Sequence, residues 1–113
     1  MNRTSTTGRT RRSKRIKVGV VDFFCGSGGV SAGLKAVDCA AEFNIISGID
    51  NDPYCAKTYE QMIGAPCDST DILTLANDPQ ALALKMASWR LDRFERVLLI
   101  GCAPCQGFAA HRV

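Results

Sequence analysis

Residues 16–29 read Ile16-Lys17-Val18-Gly19-Val20-Val21-Asp22-Phe23-Phe24-Cys25-Gly26-Ser27-Gly28-Gly29. The first nine form a β-branched and aromatic apolar run, which predicts a buried strand over 16–24. A tight glycine turn, Cys25 to Gly29, ends it. Val30, Leu34 and Val37 then recur at helical spacing, with Ala32 and Gly33 small between them, so a helix follows the turn. Strand, glycine turn and helix in that order are the opening unit of a parallel α/β sheet.

The same alternation continues outward. Phe43 to Ile49 predicts a second strand that ends at Asp50. Asp52-Pro53 starts the next helix, with Asp52 as N-cap and Pro53 where its missing N–H costs nothing. That helix runs to about Met62, and Gly64 stops it. Ala65 to Cys67 predicts a short third strand. Asp78-Pro79 repeats the helix-start device, and Leu82, Met86 and Trp89 mark the buried face of that helix. Arg96 to Ile100 is the last strand, closed by Gly101. The order β-α-β-α-β-α-β implies about four parallel strands with right-handed crossovers, a doubly wound, Rossmann-like fold. Strand four should lie beside strand one. Its apolar free edge would be a liability in a free-standing protein. Residues 16–113 are therefore expected to be the amino-terminal, incomplete part of a larger domain.

Composition bounds the rest. The 113 residues are 46% hydrophobic and 22% charged, values of a globular chain rather than a disordered one. No apolar run approaches the roughly 20 residues that span a bilayer, and no apolar stretch follows the basic start as in a secretory signal. Collagen, coiled coil and repeat architectures are excluded as well. A soluble, cytoplasmic protein is expected, with no membrane partner. The net charge of +3 is uneven. Residues 1–17 hold seven basic residues and no acid, while the remainder carries a net −4. Residues 1–15 read as a basic, disordered tail, either a solvated leader, a phosphate-contacting arm or a nuclear import signal. Six cysteines (25, 39, 55, 67, 102 and 105) invite a disulfide framework. With no secretory signal and enough apolar content for a core, reduced thiols fit better, most of them small buried hydrophobes within strands and helices.

Two constellations carry chemistry. A glycine turn between strand and helix lets a ligand approach the backbone, and an acid ending the second strand can hydrogen-bond both hydroxyls of a ribose. Asp50 stands in that place. Ser31 occupies the third glycine position of the dinucleotide pattern, and no phosphate-loop lysine is present. The pattern therefore favours an adenosine-bearing cofactor without a pyrophosphate, against a turn that merely packs helix on strand. The second constellation is Gly101-Cys102-Ala103-Pro104-Cys105-Gln106-Gly107-Phe108, at the carboxyl end of the fourth strand, where parallel sheets bind ligands. Cys105 is a potential nucleophile there, facing the glycine turn. A Cys102/Cys105 redox pair is an alternative, but it leaves the glycine turn and Asp50 unexplained. Zinc is weaker, since His111 is the only histidine, so no metal is expected.

Asp22-Phe23-Phe24-Cys25-Gly26-Ser27-Gly28-Gly29, with Ser31 and Gly33-Leu34 behind it, resembles the first motif of the DNA (cytosine-5) methyltransferases. Ala103 to Phe108 resembles that family's Pro-Cys-Gln catalytic motif. Asp50 with the Asp52–Tyr59 helix is similar to the second motif, and Asp71-Ile72 to the third. The four occur in family order across residues 18–112. The resemblance implies the amino-terminal part of an S-adenosylmethionine-dependent methyltransferase sheet. It also implies roles: Phe24 packing on the adenine; Gly26, Gly28 and Gly29 lining the methionine side, with Asp22 supporting the turn; Asp50 on the ribose; Asp71 accepting from the adenine amino group, with Ile72 beside the ring. Asn51 stands where the family often carries a bulkier cofactor-packing residue. Pro104 would border cofactor and base, Gln106 would contact the substrate, and Cys105 would be the nucleophile.

The implied substrate is duplex DNA with the target cytosine flipped out of the stack. Thiolate addition at C6 makes C5 nucleophilic toward the methyl group, and loss of the C5 proton with elimination of the thiol restores the ring. RNA is the alternative substrate within the same family, and a vestigial S-adenosylmethionine-binding chain is the non-enzymatic alternative. Ala109 replaces the usual Ser after the Phe. The family's Glu-Asn-Val and Gln-x-Arg-x-Arg motifs and its recognition region do not occur in residues 1–113. The chain alone is therefore expected to be inactive, with a complementary chain or segment supplying those motifs.

Overall fold

β1 (Ile16–Phe23) carries the heaviest burial in the protein, with Val18 to Asp22 all inside. It earns that position by being central: in the computed structural model, which describes residues 14–102, the four strands run in the order β3-β2-β1-β4 and every pairing is parallel. The other strands are β2 (Ala41–Ile49), β3 (Cys67–Asp68) and β4 (Arg96–Gly101). Helices α1 (Gly29–Ala36), α2 (Pro53–Ile63), α3 (Ile72–Ala76) and α4 (Pro79–Ser88) connect them, with a 3-10 turn at Leu91–Arg93 before β4. This is the expected Rossmann-like α/β architecture, with strand four beside strand one. Among the described residues no helix is long and apolar enough to cross a membrane.

Side chains alternate across the sheet, and two separate clusters cover its faces. On one, Tyr59 and Ile63 of α2 pack with Cys25 and Ala65, against Ile45 and Cys67. On the other, Val21, Ile49 and Trp89 gather Phe23, Ile46, Ile72 and Leu91. Phe23 meets Trp89 edge-to-face, with centroids 6.0 Å apart. The ladder between β1 and β2 skips one residue: Val20 pairs with Ile45, but Val21 pairs with Ser47. Ile46 is the extra residue of a β-bulge.

Helix ends follow the sequence signals. Asp52 accepts the Tyr54 N–H at 2.9 Å ahead of Pro53, and Gly64 closes α2 at φ 80°. Lys35 donates to the Ile63 carbonyl at 2.6 Å, satisfying an end of α2 that has no next turn. Asp78 caps α4 through the Ala81 N–H at 3.1 Å.

Several expectations need correction. β1 stops at Phe23 rather than Phe24, because Phe24 turns to φ 57°. β2 begins at Ala41, two residues early, and β3 is Cys67–Asp68 rather than 65–67. α3 was not foreseen; its five residues are too few for an apolar period to show. The spacing of Val30, Leu34 and Val37 locates α1 but not its inner face: Val30 and Val37 are exposed, and the buried residue is Ser31. On α4, Met86 is exposed, Leu82 is half-buried, and only Trp89 beyond its end is fully enclosed. Of the five described cysteines only Cys25 is buried, only Cys55 and Cys67 lie within a helix or strand, and all five are free thiols. Of the tail expected over residues 1–15 only Lys14 and Arg15 are described, and Arg15 pairs with Asp38.

Candidate functional site

The carboxyl ends of β1, β2 and β3 stand side by side, and the polypeptide leaves each through a residue singled out by sequence. From β1 it passes through Phe24, whose φ of 57° is left-handed. That conformation costs a non-glycine residue about 1–2 kcal/mol, and it turns a partly exposed phenyl ring outward at the edge of the sheet. Gly26 (φ 55°) and Gly28 (φ 103°) complete the turn.

The glycines divide by what surrounds them. Among the described residues a Cβ on Gly26 or Gly29 would meet nothing within 4 Å. On Gly28 it would lie 2.9 Å from Ile63 and 3.1 Å from Tyr59. The missing side chain of Gly28 lets α2 pack on the turn. Only its backbone remains for the outer side. Among the described residues no side chain caps the first turn of α1.

Asp50 ties this edge together. Its Oδ2 accepts the Gly26 N–H at 2.8 Å, and its Oδ1 accepts the Asp52 N–H at 2.9 Å. One half-buried carboxylate thereby sets both the glycine turn and the entry to α2, and each oxygen retains a lone pair for a further donor. Asp71, at the exit from β3, caps α3 by accepting the Leu73 N–H on Oδ1 at 2.9 Å, leaving Oδ2 available. Ile72 beside it packs into the Trp89 cluster. Asn51 is exposed.

Behind the turn lies a polar network that sequence reasoning did not find. Asp22, Ser31 and Tyr59 are 2%, 0% and 0% exposed. Ser31 donates to Asp22 Oδ2 at 2.7 Å and sits 2.7 Å from the Tyr59 hydroxyl. Ser31 has one hydrogen and spends it on the carboxylate, so Tyr59 donates to Ser31. Burial pushes the Asp22 carboxyl up from its usual range, and the Ser31 hydrogen bond pulls it part of the way back. Burial likewise pushes the Tyr59 phenol up to about 12. The network bolts α1 and α2 to the end of β1, with Asp22 turned inward onto Ser31. Its legible traces were Ser31 in the place of a motif glycine and the Asp22 that the family resemblance sets under the turn.

Pro104, Cys105 and Gln106 lie outside the described residues, as does the expected facing of Cys105 toward the glycine turn; β4 beside β1 leads toward that edge. A cavity of about 540 Å³, lined by Lys35, Phe43, Ile63 and Phe94 among others, contains none of the singled-out residues. Among the described residues no three or more His, Cys, Asp or Glu side chains group to hold a metal ion.

Comparison with known proteins adds the chemistry's lineage. A family described as C-5 cytosine-specific DNA methylase matches residues 18–112. The chain is 33% identical over 93 residues to the Type II methylase M.HgiDII of Herpetosiphon aurantiacus, an alignment covering 81% of this chain and 23% of that protein. The chain thus spans about a quarter of that relative's length. No solved structure matches it significantly. The matched region holds the glycine turn, Asp50, Asp71 and the Pro104-Cys105-Gln106 segment in one continuous stretch, and the chain belongs to the C-5 cytosine-specific DNA methylase family.

Proposed function

We propose that this chain is the cofactor-binding, nucleophile-bearing amino-terminal part of a DNA (cytosine-5) methyltransferase, with S-adenosylmethionine as its cofactor. The observation that carries the reading is the Asp50 carboxylate bonded to the Gly26 N–H at the glycine turn, where Gly26 and Gly29 have no neighbour in the Cβ direction among the described residues. These residues fit the group: an acceptor for ribose hydroxyls, backbone exposed for close approach, and an apolar ring at Phe24 and side chain at Ile72 for a flat base. S-adenosylmethionine supplies, when bound, a methyl group on a positively charged sulfur.

Phe24 and Ile72 hold the adenine and Asp71 Oδ2 accepts from its amino group. Gly26, Gly28 and Gly29 admit the methionine side, Gly28 through its backbone, and Asn51 borders the site at its exposed rim. Pro104 shapes the boundary between cofactor and base, and Gln106 contacts the DNA. Cys105, as thiolate, adds to C6 of a flipped cytosine and makes C5 nucleophilic. The matched family is a DNA methylase family, which does not favour the RNA alternative, and the Type II designation of the relative favours a restriction–modification setting.

Equilibrium dialysis of the reduced chain against labelled S-adenosylmethionine tests the cofactor site. Asp50→Ala removes charge-assisted hydrogen bonds worth about 1.5–3 kcal/mol, an affinity loss of roughly 10- to 100-fold. Binding by Asp50→Ala equal to that of the parent chain refutes the assignment. Joined to a segment carrying the missing motifs, Cys105 is expected to trap on duplex DNA containing 5-fluorocytosine, and Cys105→Ala is not.

A further inference from the structure

Cys25 and Cys67 are 42 positions apart in sequence, yet their Sγ atoms are 3.4 Å apart. Cys25 sits inside the glycine turn, its N–H held by the Ile49 carbonyl at 3.1 Å. Cys67 opens the two-residue strand β3 and pairs with Gly48 of β2. Gly48 is what lets the thiols meet: a Cβ there would stand 2.8 Å from Cys25 Sγ. None of the roles assigned above uses either sulfur. Access is unequal, since Cys25 is buried whereas Cys67 is half-buried and lines a cavity of about 380 Å³ with Asp68, Lys85 and Trp89.

We propose that hydrogen peroxide closes Cys25 and Cys67 into a disulfide that draws β3 against the glycine turn and shuts the cofactor site. The effect on cofactor rests on the function proposed above, while the cross-link does not. Cys67, the accessible partner, attacks one peroxide oxygen as thiolate. The O–O bond breaks, the departing hydroxide takes up a proton as water, and Cys67 is left as a sulfenic acid. Cys25 then attacks that sulfur, the S–O bond breaks, and the hydroxyl leaves as a second water with the Cys25 proton. Two thiols lose two electrons and two protons, and one peroxide becomes two waters. A disulfide bond is about 2.0 Å long, so the sulfurs must close by about 1.4 Å. Two short backbone segments supply that movement, and both belong to the site. Burial raises both thiols above the usual cysteine value, so closure is slow at neutral pH and quickens as pH rises.

Treating the full chain with peroxide, then mapping peptides without reductant, tests this. A Cys25–Cys67 linked peptide should form, disappear with dithiothreitol, and accompany a fall in S-adenosylmethionine affinity of about 10-fold or more, the scale of losing a hydrogen bond to a charged group such as Asp50. The Cys25→Ala variant should stop at the sulfenic acid on Cys67, which dimedone traps. Cys25 that stays alkylatable while other thiols oxidise, or that links elsewhere, overturns the proposal. A Cys25–Cys67 link with unchanged affinity overturns the switch. If the reduced chain binds no S-adenosylmethionine, the cofactor reading fails by itself; the cross-link is then judged by mapping and by amide exchange in residues 24–29, and unchanged exchange refutes it.

Discussion

Replacing Ser31 by Ala should be far more damaging than loss of one hydroxyl on a helix suggests. Ser31 is fully buried and holds a chain of hydrogen bonds, from the Tyr59 hydroxyl to Ser31 and from Ser31 to Asp22, each 2.7 Å long. Its removal orphans the Tyr59 hydroxyl and the Asp22 carboxylate oxygen together, in places where water has no access. Each buried polar group left unsatisfied costs about 1–3 kcal/mol. The better helix propensity of Ala returns at most about 0.5 kcal/mol. The expected net loss is about 1.5–5.5 kcal/mol, a large share of the 5–15 kcal/mol typical of a domain. Tyr59→Phe removes a donor but leaves Ser31 bonded to Asp22, so it should cost only about 0.5–1.5 kcal/mol. The double variant should cost less than the two singles combined, because Phe at 59 no longer strands a hydroxyl. Trp89, the one tryptophan and 5% exposed, reports unfolding by its fluorescence. With a urea slope of about 2 kcal/mol per M, Ser31→Ala should lower the midpoint by about 1–3 M. An unchanged midpoint, a Tyr59→Phe loss larger than that of Ser31→Ala, or strict additivity would each refute the reasoning.

Further outcomes follow from other sites. Burial alone would raise the Asp68 carboxyl, but hydrogen bonds from Lys85 and Thr70 outweigh it and hold the group at about 2. A depressed carboxylate stabilises the fold above its unfolded value of about 4 and ceases to do so as pH falls through about 2. Lys85 is 32% exposed in its side chain, so screening reduces this contribution to about 1 kcal/mol. Urea midpoints at pH 7, 4 and 2 should show it, and Lys85→Ala should flatten the dependence. Gly48→Ala should destabilise by about 1–3 kcal/mol through overpacking, because its Cβ would lie 2.8 Å from both Cys25 Sγ and the Tyr59 ring. Gly33→Ala, in α1 with nothing within 4 Å, should instead stabilise by about 0.5–1 kcal/mol; thermal melts of the two should move in opposite directions.

Much of this protein was legible without coordinates. The apolar run of β1, the glycine turn and the Asp-Pro helix starts are local signals, each acting within a few residues. They yielded the element order, the parallel sheet and the position of β4 beside β1. Asp50 was legible too, as the acid that follows the end of a parallel strand, whereas Asp71 was singled out only through the resemblance of Asp71-Ile72 to the family's third motif, since it lies three residues beyond β3. Short or displaced elements were not, such as the five-residue α3, and neither was the inner face of α1. There the apolar residues Val30 and Val37 point outward while Ser31 goes inside, because the polar partners that justify its burial, Asp22 and Tyr59, come from other elements.

The sequence by itself determined the strand–turn–helix grammar, the motifs and the family, because these depend on local chemistry and on order along the chain. Tertiary structure alone decided which side chains meet across it. The bulge at Ile46 is the clearest case. Strict alternation from Ile45 would put Ser47 on the α2 face and Gly48 on the other. One extra residue reverses this, setting Gly48 under Tyr59 and Cys25 and Ile49 against Trp89. A strand's period is two, so a single inserted residue exchanges its faces. That insertion is specified by pairing with β1 and packing from both sides, which no local stretch of β2 contains.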